Sequence, residues 1–180
     1  MNSFTDNIEK ETGDLCLADH RQIWTKFCFL DESGSLSNVA EPFFTIGVLK
    51  MSMPYYLQSK IMYERNKRHF HDEMKFNKVS KLNIDFFKFV IDSFFDTRSL
   101  SFYSYTTHKK SKYFVDNFSS DVWSAYEKMT LKLLDAALAE REVLMLIADH
   151  ITTPKEIKFE VNTKRKFNNS KQRLALSGVC

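Results

Sequence analysis

The stretch that decides the fold is KFCFLDESGS, Lys26–Ser35, in which an apolar run leads into two carboxylates and a turn. Short apolar and aromatic runs of this kind predict a buried β-strand. The next residues, ESGSLSNVAEP, are typical of a turn, and FFTIGVLKM, Phe43–Met51, has the composition of a second strand. Because this connection is too short for a parallel crossover, the two strands are predicted to form an antiparallel hairpin.

Beyond the hairpin, predicted helices and strands alternate along the chain. Helices are predicted from Ser52 to about Phe70, from Ser80 over KLNIDFFKFVIDSFF, over DVWSAYEKMTLKLLDAALAER, and after the capping-box pattern of Thr153–Glu156. Strands are predicted at Ser99–His108, at Val143–Asp149 and over the final RLALSGVC. This order predicts an α/β fold with a mixed β-sheet and flanking helices, antiparallel at the first hairpin and partly parallel beyond it.

Length and composition limit the classes of protein to be considered. The 180 residues suffice for one domain, predicted at residues 23–180, preceded by a flexible acidic extension at residues 1–22. Within Met1–His20, five acidic residues stand against one lysine, which is unlike a signal peptide. No apolar run reaches the roughly 18 residues that a membrane helix needs. We therefore expect a cytoplasmic protein with no membrane partner.

Two apolar strands of this sequence are predicted to end in an aspartate. FCFL runs into Asp31, and LMLIA runs into Asp149. Ligands gather beyond the carboxyl ends of parallel strands, and neighbouring strands lie about 5 Å apart. Carboxylates that close repel each other unless one is protonated or a cation lies between them. A hard divalent ion such as Mg²⁺ fits such a pair, although each Asp could instead merely end its strand in a turn.

The order of these motifs resembles a known family. FLDESGS, the strand FFTIGVLKM, the E-x-K of Glu73–Lys75 and a later strand ending in Asp149 are similar to ribonuclease H-like proteins catalogued as domain of unknown function 3800, whose hallmark is a D-E-S-G start. The resemblance covers roughly Lys26 to Cys180. It implies a fold in which the first and fourth strands are adjacent and parallel.

The resemblance also implies a nuclease site that depends on Mg²⁺ or Mn²⁺. The matching acidic positions, as metal ligands and catalytic residues, are Asp31, Glu73 and Asp149. The residues expected around the metal or substrate are Glu32, Ser33, Gly34 and Lys75, to which the strand-end histidines His108 and His150 are added from the sequence pattern alone. The family continues beyond the last strand into an L-Q-x-x-D segment, so we expect the sheet and site to need a further segment or a protein partner.

Nucleic acid is the partner that this interpretation predicts. The candidate phosphate-binding residues form two groups: Lys60, Arg65, Lys67, Arg68, Lys75, Lys78 and Lys81 before the site, and seven bases between Lys155 and Arg173 after it. Tyr55, Tyr56 and Phe70 lie among the first group and could stack on bases. An alternative of a different class is a catalytically silent nucleic-acid-binding or assembly module of the same fold.

Two other kinds of site can be compared with the sequence. Haloacid-dehalogenase-type phosphatases have a second Asp where this chain has Ser33, so their general acid has no counterpart. The H-x-H-x-E pattern of His69, His71 and Glu73 could bind a transition metal in an extended segment, or belong to a solvated connection.

Overall fold

The computed structural model describes residues 23–38, 40–118, 121–149 and 158–180. The chain divides into two compact units, of which the first contains the residues up to Lys50 together with Ser101–Cys180 and the second contains Met51–Leu100. The predicted acidic extension, residues 1–22, lies outside the described residues. So does the predicted capping box at Thr153–Glu156.

The first unit is built on a five-stranded mixed sheet with the order β3-β2-β1-β4-β5. The strands are β1 (Trp24–Ser33), β2 (Phe43–Met51), β3 (Leu100–His108), β4 (Glu142–Ala148) and β5 (Leu176–Val179). β1 pairs in parallel with β4, and β4 pairs in parallel with β5. The predicted α/β class with a mixed sheet is confirmed, as is the adjacent, parallel placement of the first and fourth strands.

One face of the sheet carries the hydrophobic core of this unit. Alternate side chains of a strand share a face, and Cys28 and Leu30 of β1 are buried together with Leu144 and Leu146 of β4. Two helices supply the other half of this core, α4 (Val122–Ala137) and α5 (Phe159–Lys171). The short helix α3 (Lys112–Phe118), which the sequence analysis did not predict, adds Phe114 and Phe118.

A buried lysine joins three elements of the first unit. Lys50 of β2 donates hydrogen bonds to the Glu142 side chain on β4, at 2.9 Å, and to the Ala137 carbonyl at the end of α4, at 2.7 Å. Glu142 also accepts a bond from the Ala139 backbone N–H. These contacts satisfy a buried charge that would otherwise be costly, and they fix the start of β4.

The second unit contains α1 (Pro54–Lys67), a short 3₁₀ turn (Phe76–Lys78) and α2 (Ile84–Phe95). Leu57 and Phe86 are buried between these helices, and the Phe70 ring lies 5.0 Å from the Phe86 ring. Pro54 opens α1 as predicted, because its fixed backbone and missing N–H suit the first helical position.

Two boundary predictions in this unit were wrong. The predicted capping residue Ser80 does not begin α2, because Asn83 occupies the position before Ile84 and its side chain accepts the Ser80 N–H. α1 ends at Lys67 rather than near Phe70, because His69 adopts a left-handed conformation (φ +53°) and the Phe70 N–H closes the helix on the Arg65 carbonyl at 3.0 Å. Among the described residues, no helix is both long and apolar enough to cross a bilayer.

Burial makes Cys28 a testable marker of this packing. Its side chain is inaccessible to solvent, and burial raises the pKa of the Cys28 thiol to about 12, although the nearby Lys50 charge opposes the rise. A Cys16→Ser/Cys180→Ser variant should therefore not react with Ellman's reagent at mildly alkaline pH while folded, since only the thiolate attacks. The same variant in urea should react fully, and prompt labelling of the folded protein would contradict the described core.

Candidate functional site

The end of the β1–β4 pairing is followed by a carboxylate on each strand's chain. The register between these strands runs up to the pair Leu30 and Ala148; Asp31 is the next residue within β1, and Asp149 is the residue directly after β4. Neighbouring strands lie at a spacing of about 5 Å. Asp31 and Asp149 are both exposed. The parallel pairing on which the predicted carboxylate pair depends is therefore present.

Asp31 lies within a strand rather than after one, because β1 continues to Ser33. The Asp31 side chain turns toward the following residue, where its Oδ1 accepts the Glu32 backbone N–H at 2.9 Å. Since neighbouring residues of a strand point to opposite faces, Glu32 follows Cys28 and Leu30 onto the face that α4 covers. The two carboxylates of the D-E dipeptide therefore have different partners, the Glu32 backbone N–H for Asp31 and the Tyr126 hydroxyl for Glu32.

Glu32 meets a buried tyrosine on that face. Tyr126 of α4 is almost fully buried, and its hydroxyl donates to Glu32 Oε2 at 3.2 Å. Partial burial raises the pKa of Glu32, the Tyr126 hydrogen bond opposes this rise, and the charges of Asp31 and Asp149 add to it. Burial also raises the pKa of Tyr126, with the Glu32 charge as a further cause. The three carboxylates therefore form one electronegative region at the end of the sheet.

The loop after β1 is held by a dense set of hydrogen bonds. Glu41 accepts the Ser35 N–H at 2.7 Å and the Asn38 side-chain amide at 3.0 Å. Lys109, directly after β3, donates to the carbonyls of Ser35 and Asn38, both at 2.6 Å. This loop is therefore a fixed part of the site rather than a simple connection.

Gly34 has a conformational reason to be glycine. Its φ is +85°, and a Cβ built there would lie 2.8 Å from the Phe43 carbonyl oxygen. Both the backbone conformation and the lack of space exclude a side chain without strain. Gly34 thus shapes the start of the loop, and Ser33 is the exposed last residue of β1.

A cavity of about 520 Å³ opens between this loop and α4. Its apolar wall combines aromatic and aliphatic side chains, and its polar groups are the Glu32 carboxylate with nearby serines and the Tyr126 hydroxyl. The lining residues are Glu32, Gly34, Ser35, Leu36, Ser37, Phe44, Val122, Trp123 and Tyr126. A mostly apolar concave site with a few converging polar groups is the usual form of a ligand pocket.

The other predicted site residues belong to several different elements. Glu73 belongs to the second unit, where it is exposed and pairs with Lys75 at 3.0 Å. The segment from His69 to Glu73 is irregular rather than a strand, so the pattern of alternate residues on one face does not apply there. His108 is exposed at the end of β3, with its ring 5.0 Å from that of Phe43. His150 lies outside the described residues.

Several bases proposed to contact phosphate are used within the protein. Lys166 pairs with Glu127 and Lys171 with Asp135. Arg173 donates to the Glu142 carbonyl at 2.9 Å. These contacts attach α5 and the chain that follows it to α4 and β4. Half of the six described bases of this segment thus have a structural contact, while Lys158, Lys164 and Arg165 are exposed.

The site has the donor chemistry of a hard divalent cation. Mg²⁺ is commonly held by one or two carboxylates and completes its shell with water and substrate oxygens, which a pair such as Asp31 and Asp149 can supply. Within the described ranges, no group of three or more His, Cys, Asp or Glu side chains is arranged to hold a metal ion. The fit is thus to a carboxylate pair rather than to the predicted triad.

No family model matches this sequence, and a search of curated proteins found no significant relative. The geometry of the chain itself therefore provides the evidence for its function.

Sequence reasoning missed four residues that build the site: Trp123, Tyr126, Glu41 and Lys109. Tyr126 lies at helical spacing from the apolar Met129 and Leu133, and it does pack in the core. The periodicity therefore could not reveal its hydroxyl contact. Glu41 and Lys109 act through bonds to loop backbone, for which a single sequence carries no signal.

The loop conformation gives a first prediction for this site. Gly34→Ala should lower the free energy of unfolding by about 1–3 kcal/mol, because it forces a side chain into a positive-φ, crowded position. Gly178→Ala is the matched control, since a Cβ there meets nothing within 4 Å. Urea unfolding of both variants tests this, and equal losses would contradict the assigned strain.

The contact between Glu32 and Tyr126 gives a second prediction. A double-mutant cycle of Tyr126→Phe and Glu32→Leu, in which leucine has no acceptor for the hydroxyl, should yield a coupling free energy of about 1 kcal/mol, typical of one hydrogen bond. Neither variant adds bulk to the side chain it replaces, so the packing of α4 should be retained. Additive effects on the free energy of unfolding would show that the hydroxyl and the carboxylate do not interact.

Proposed function

We propose that this protein is a divalent-metal-dependent nuclease of ribonuclease H-like fold that hydrolyses phosphodiester bonds in nucleic acid. The observation that carries the proposal is the parallel pairing of β1 with β4 up to Leu30 and Ala148, after which Asp31 and Asp149 follow on the two adjacent strands. Two exposed carboxylates at one strand spacing would attract a dication, which relieves their repulsion.

The architecture supports the ribonuclease H-like part of this proposal. The resemblance of the D-E-S-G sequence to that family implies a first strand beside and parallel to the fourth, and β1 and β4 have this relation. The hairpin that follows β1 and the helices that flank the sheet also agree with it.

Each residue of the site has a distinct role in the proposed reaction. Asp31 and Asp149 would hold Mg²⁺ or Mn²⁺, which supplies an activated water and stabilises the charge on the leaving oxygen. Glu32 faces the pocket and, with the Tyr126 hydroxyl, fixes the end of β1 against α4. Gly34 lets the chain leave the strand at once, so the loop lies beside the carboxylates.

A second candidate function is the catalytically silent module of the same fold. The ion pair of Glu73 with Lys75 favours it, because this contact already gives the third predicted ligand a cationic partner. In that case the carboxylate pair would have a structural or regulatory use, and nucleic acid would bind without being cleaved.

Cleavage and metal binding together test the nuclease proposal. Asp31→Asn and Asp149→Asn should each remove Mn²⁺-dependent cleavage of single- and double-stranded DNA and RNA. The loss should exceed the roughly 10- to 100-fold typical of losing an outer-shell partner. Calorimetric titration with Mn²⁺ should show binding to the wild type and weakened binding to both variants.

The control is Glu140→Gln, which removes an exposed carboxylate just before the opposite end of β4. It should cleave and bind Mn²⁺ like the wild type. Equal cleavage by the wild type and Asp31→Asn would remove the nuclease proposal. Binding of nucleic acid without cleavage by the wild type would support the silent module instead.

A further inference from the structure

The second unit carries an exposed aromatic stripe on one face of α1. Tyr56, Lys60 and Tyr63 are spaced i, i+4 and i+7, so they follow one another along the same side of the helix. Both tyrosines are strongly exposed, at 69% and 70% of their surface. Large aromatic side chains at helical spacing normally face a core. An exposed pair with a lysine between them is instead typical of a binding surface.

These side chains line an open groove of about 510 Å³ between α1 and α2. The lining residues are Tyr56, Ser59, Lys60, Tyr63, Glu64 and Phe89. The Lys60 ammonium lies over the Phe89 ring, 5.6 Å from its centroid, and this contact keeps the charge at the groove without neutralising it. In the described part of the chain, no carboxylate forms an ion pair with Lys60.

The acidic residue of the groove does not cancel this positive charge. Glu64 is buried and is bound by Arg68 at 2.8 Å, with Lys67 at 3.7 Å. The Arg68 hydrogen bond lowers the pKa of Glu64, so the carboxylate stays ionised and paired. Over Pro54–Arg68, four bases stand against this one acid. The surface therefore favours a negatively charged polymer over a positively charged partner.

We propose that the groove between α1 and α2 binds single-stranded nucleic acid, with bases stacked on Tyr56 and Tyr63 and a phosphate held by Lys60. The inference rests on the proposed function for its class of ligand, and it adds the surface and the strand form. Stacking on exposed aromatic rings requires unpaired bases, whereas a duplex would offer mainly phosphates. Of the other aromatics predicted to stack, Phe70 packs against Phe86 and Phe87, and Tyr55 lies outside the groove.

The test is binding of fluorescein-labelled oligothymidylate by anisotropy in EDTA, where no cleavage is needed. Tyr56→Ala and Tyr63→Ala should each weaken binding by about 5- to 150-fold, and Tyr56→Phe should bind like the wild type, since it keeps the ring. Lys60→Ala should weaken binding and reduce the slope of log affinity against log salt by about 0.7. All three side chains lie at the surface of their helix, and urea unfolding checks that the variants stay folded.

Tyr55→Ala is the matched control, because Tyr55 is also exposed, at 59%, but does not line the groove. It should bind like the wild type. The proposal fails if oligothymidylate does not bind or if Tyr56→Ala and Tyr63→Ala bind as tightly as Tyr55→Ala. It also fails if a duplex of equal length binds as tightly, or if a polyglutamate peptide competes in a tyrosine-dependent way, which would indicate a protein partner.

These outcomes separate the groove from the nuclease site. If Asp31→Asn loses cleavage but oligothymidylate binding does not depend on Tyr56 or Tyr63, only the groove proposal is overturned. If binding depends on these tyrosines but the wild type shows no Mn²⁺-dependent cleavage, only the nuclease proposal is overturned.

Discussion

The parallel pairing of β1 with β4 is the constraint on which the rest of the site depends. Its register is set by buried apolar residues, with Cys28 opposite Leu146 and Leu30 opposite Ala148. A shift by one residue would turn the whole apolar set to the other face, so the register is strongly fixed. Asp31 and Asp149 follow directly after this pairing, and two carboxylates at one strand spacing repel. The free energy of burying the core thus holds together two strands whose ends carry like charges.

Strand alternation explains why two adjacent carboxylates have different surroundings. The Asp31 side chain accepts the following backbone N–H, whereas Glu32, although also exposed, follows the buried Cys28 and Leu30 along the strand and meets Tyr126. The pKa of Glu32 is raised first by partial burial and then by the charges of its neighbours. If β1 ended at Leu30, this alternation would no longer separate the two side chains. The continuation of β1 through Ser33 therefore determines the chemistry on both sides of the sheet.

The strands that lead into Asp31 and Asp149 could be predicted from the sequence, because they depend on local pattern. The apolar runs before Asp31 and Asp149 are short, bounded and rich in strand-forming residues, and the α4 stripe is long and periodic. The start of α2 was misplaced because Ser80 and Asn83 both have capping side chains, and only the hydrogen bond from Ser80 to Asn83 decides between them. The place of Glu73 depends on tertiary structure, for which an E-x-K pattern carries no information.

Counting bases along the chain points to a different surface from the one that the structure favours. The segment ending at Arg173 is the most basic by composition, yet Lys166, Lys171 and Arg173 are bound to groups of the first unit. Lys60, in a less basic stretch, is held by the ring of Phe89. A carboxylate partner neutralises a lysine, whereas an aromatic ring orients it and leaves its charge for another anion. The identity of each lysine's neighbour, rather than the local number of bases, therefore determines where a polyanion can bind.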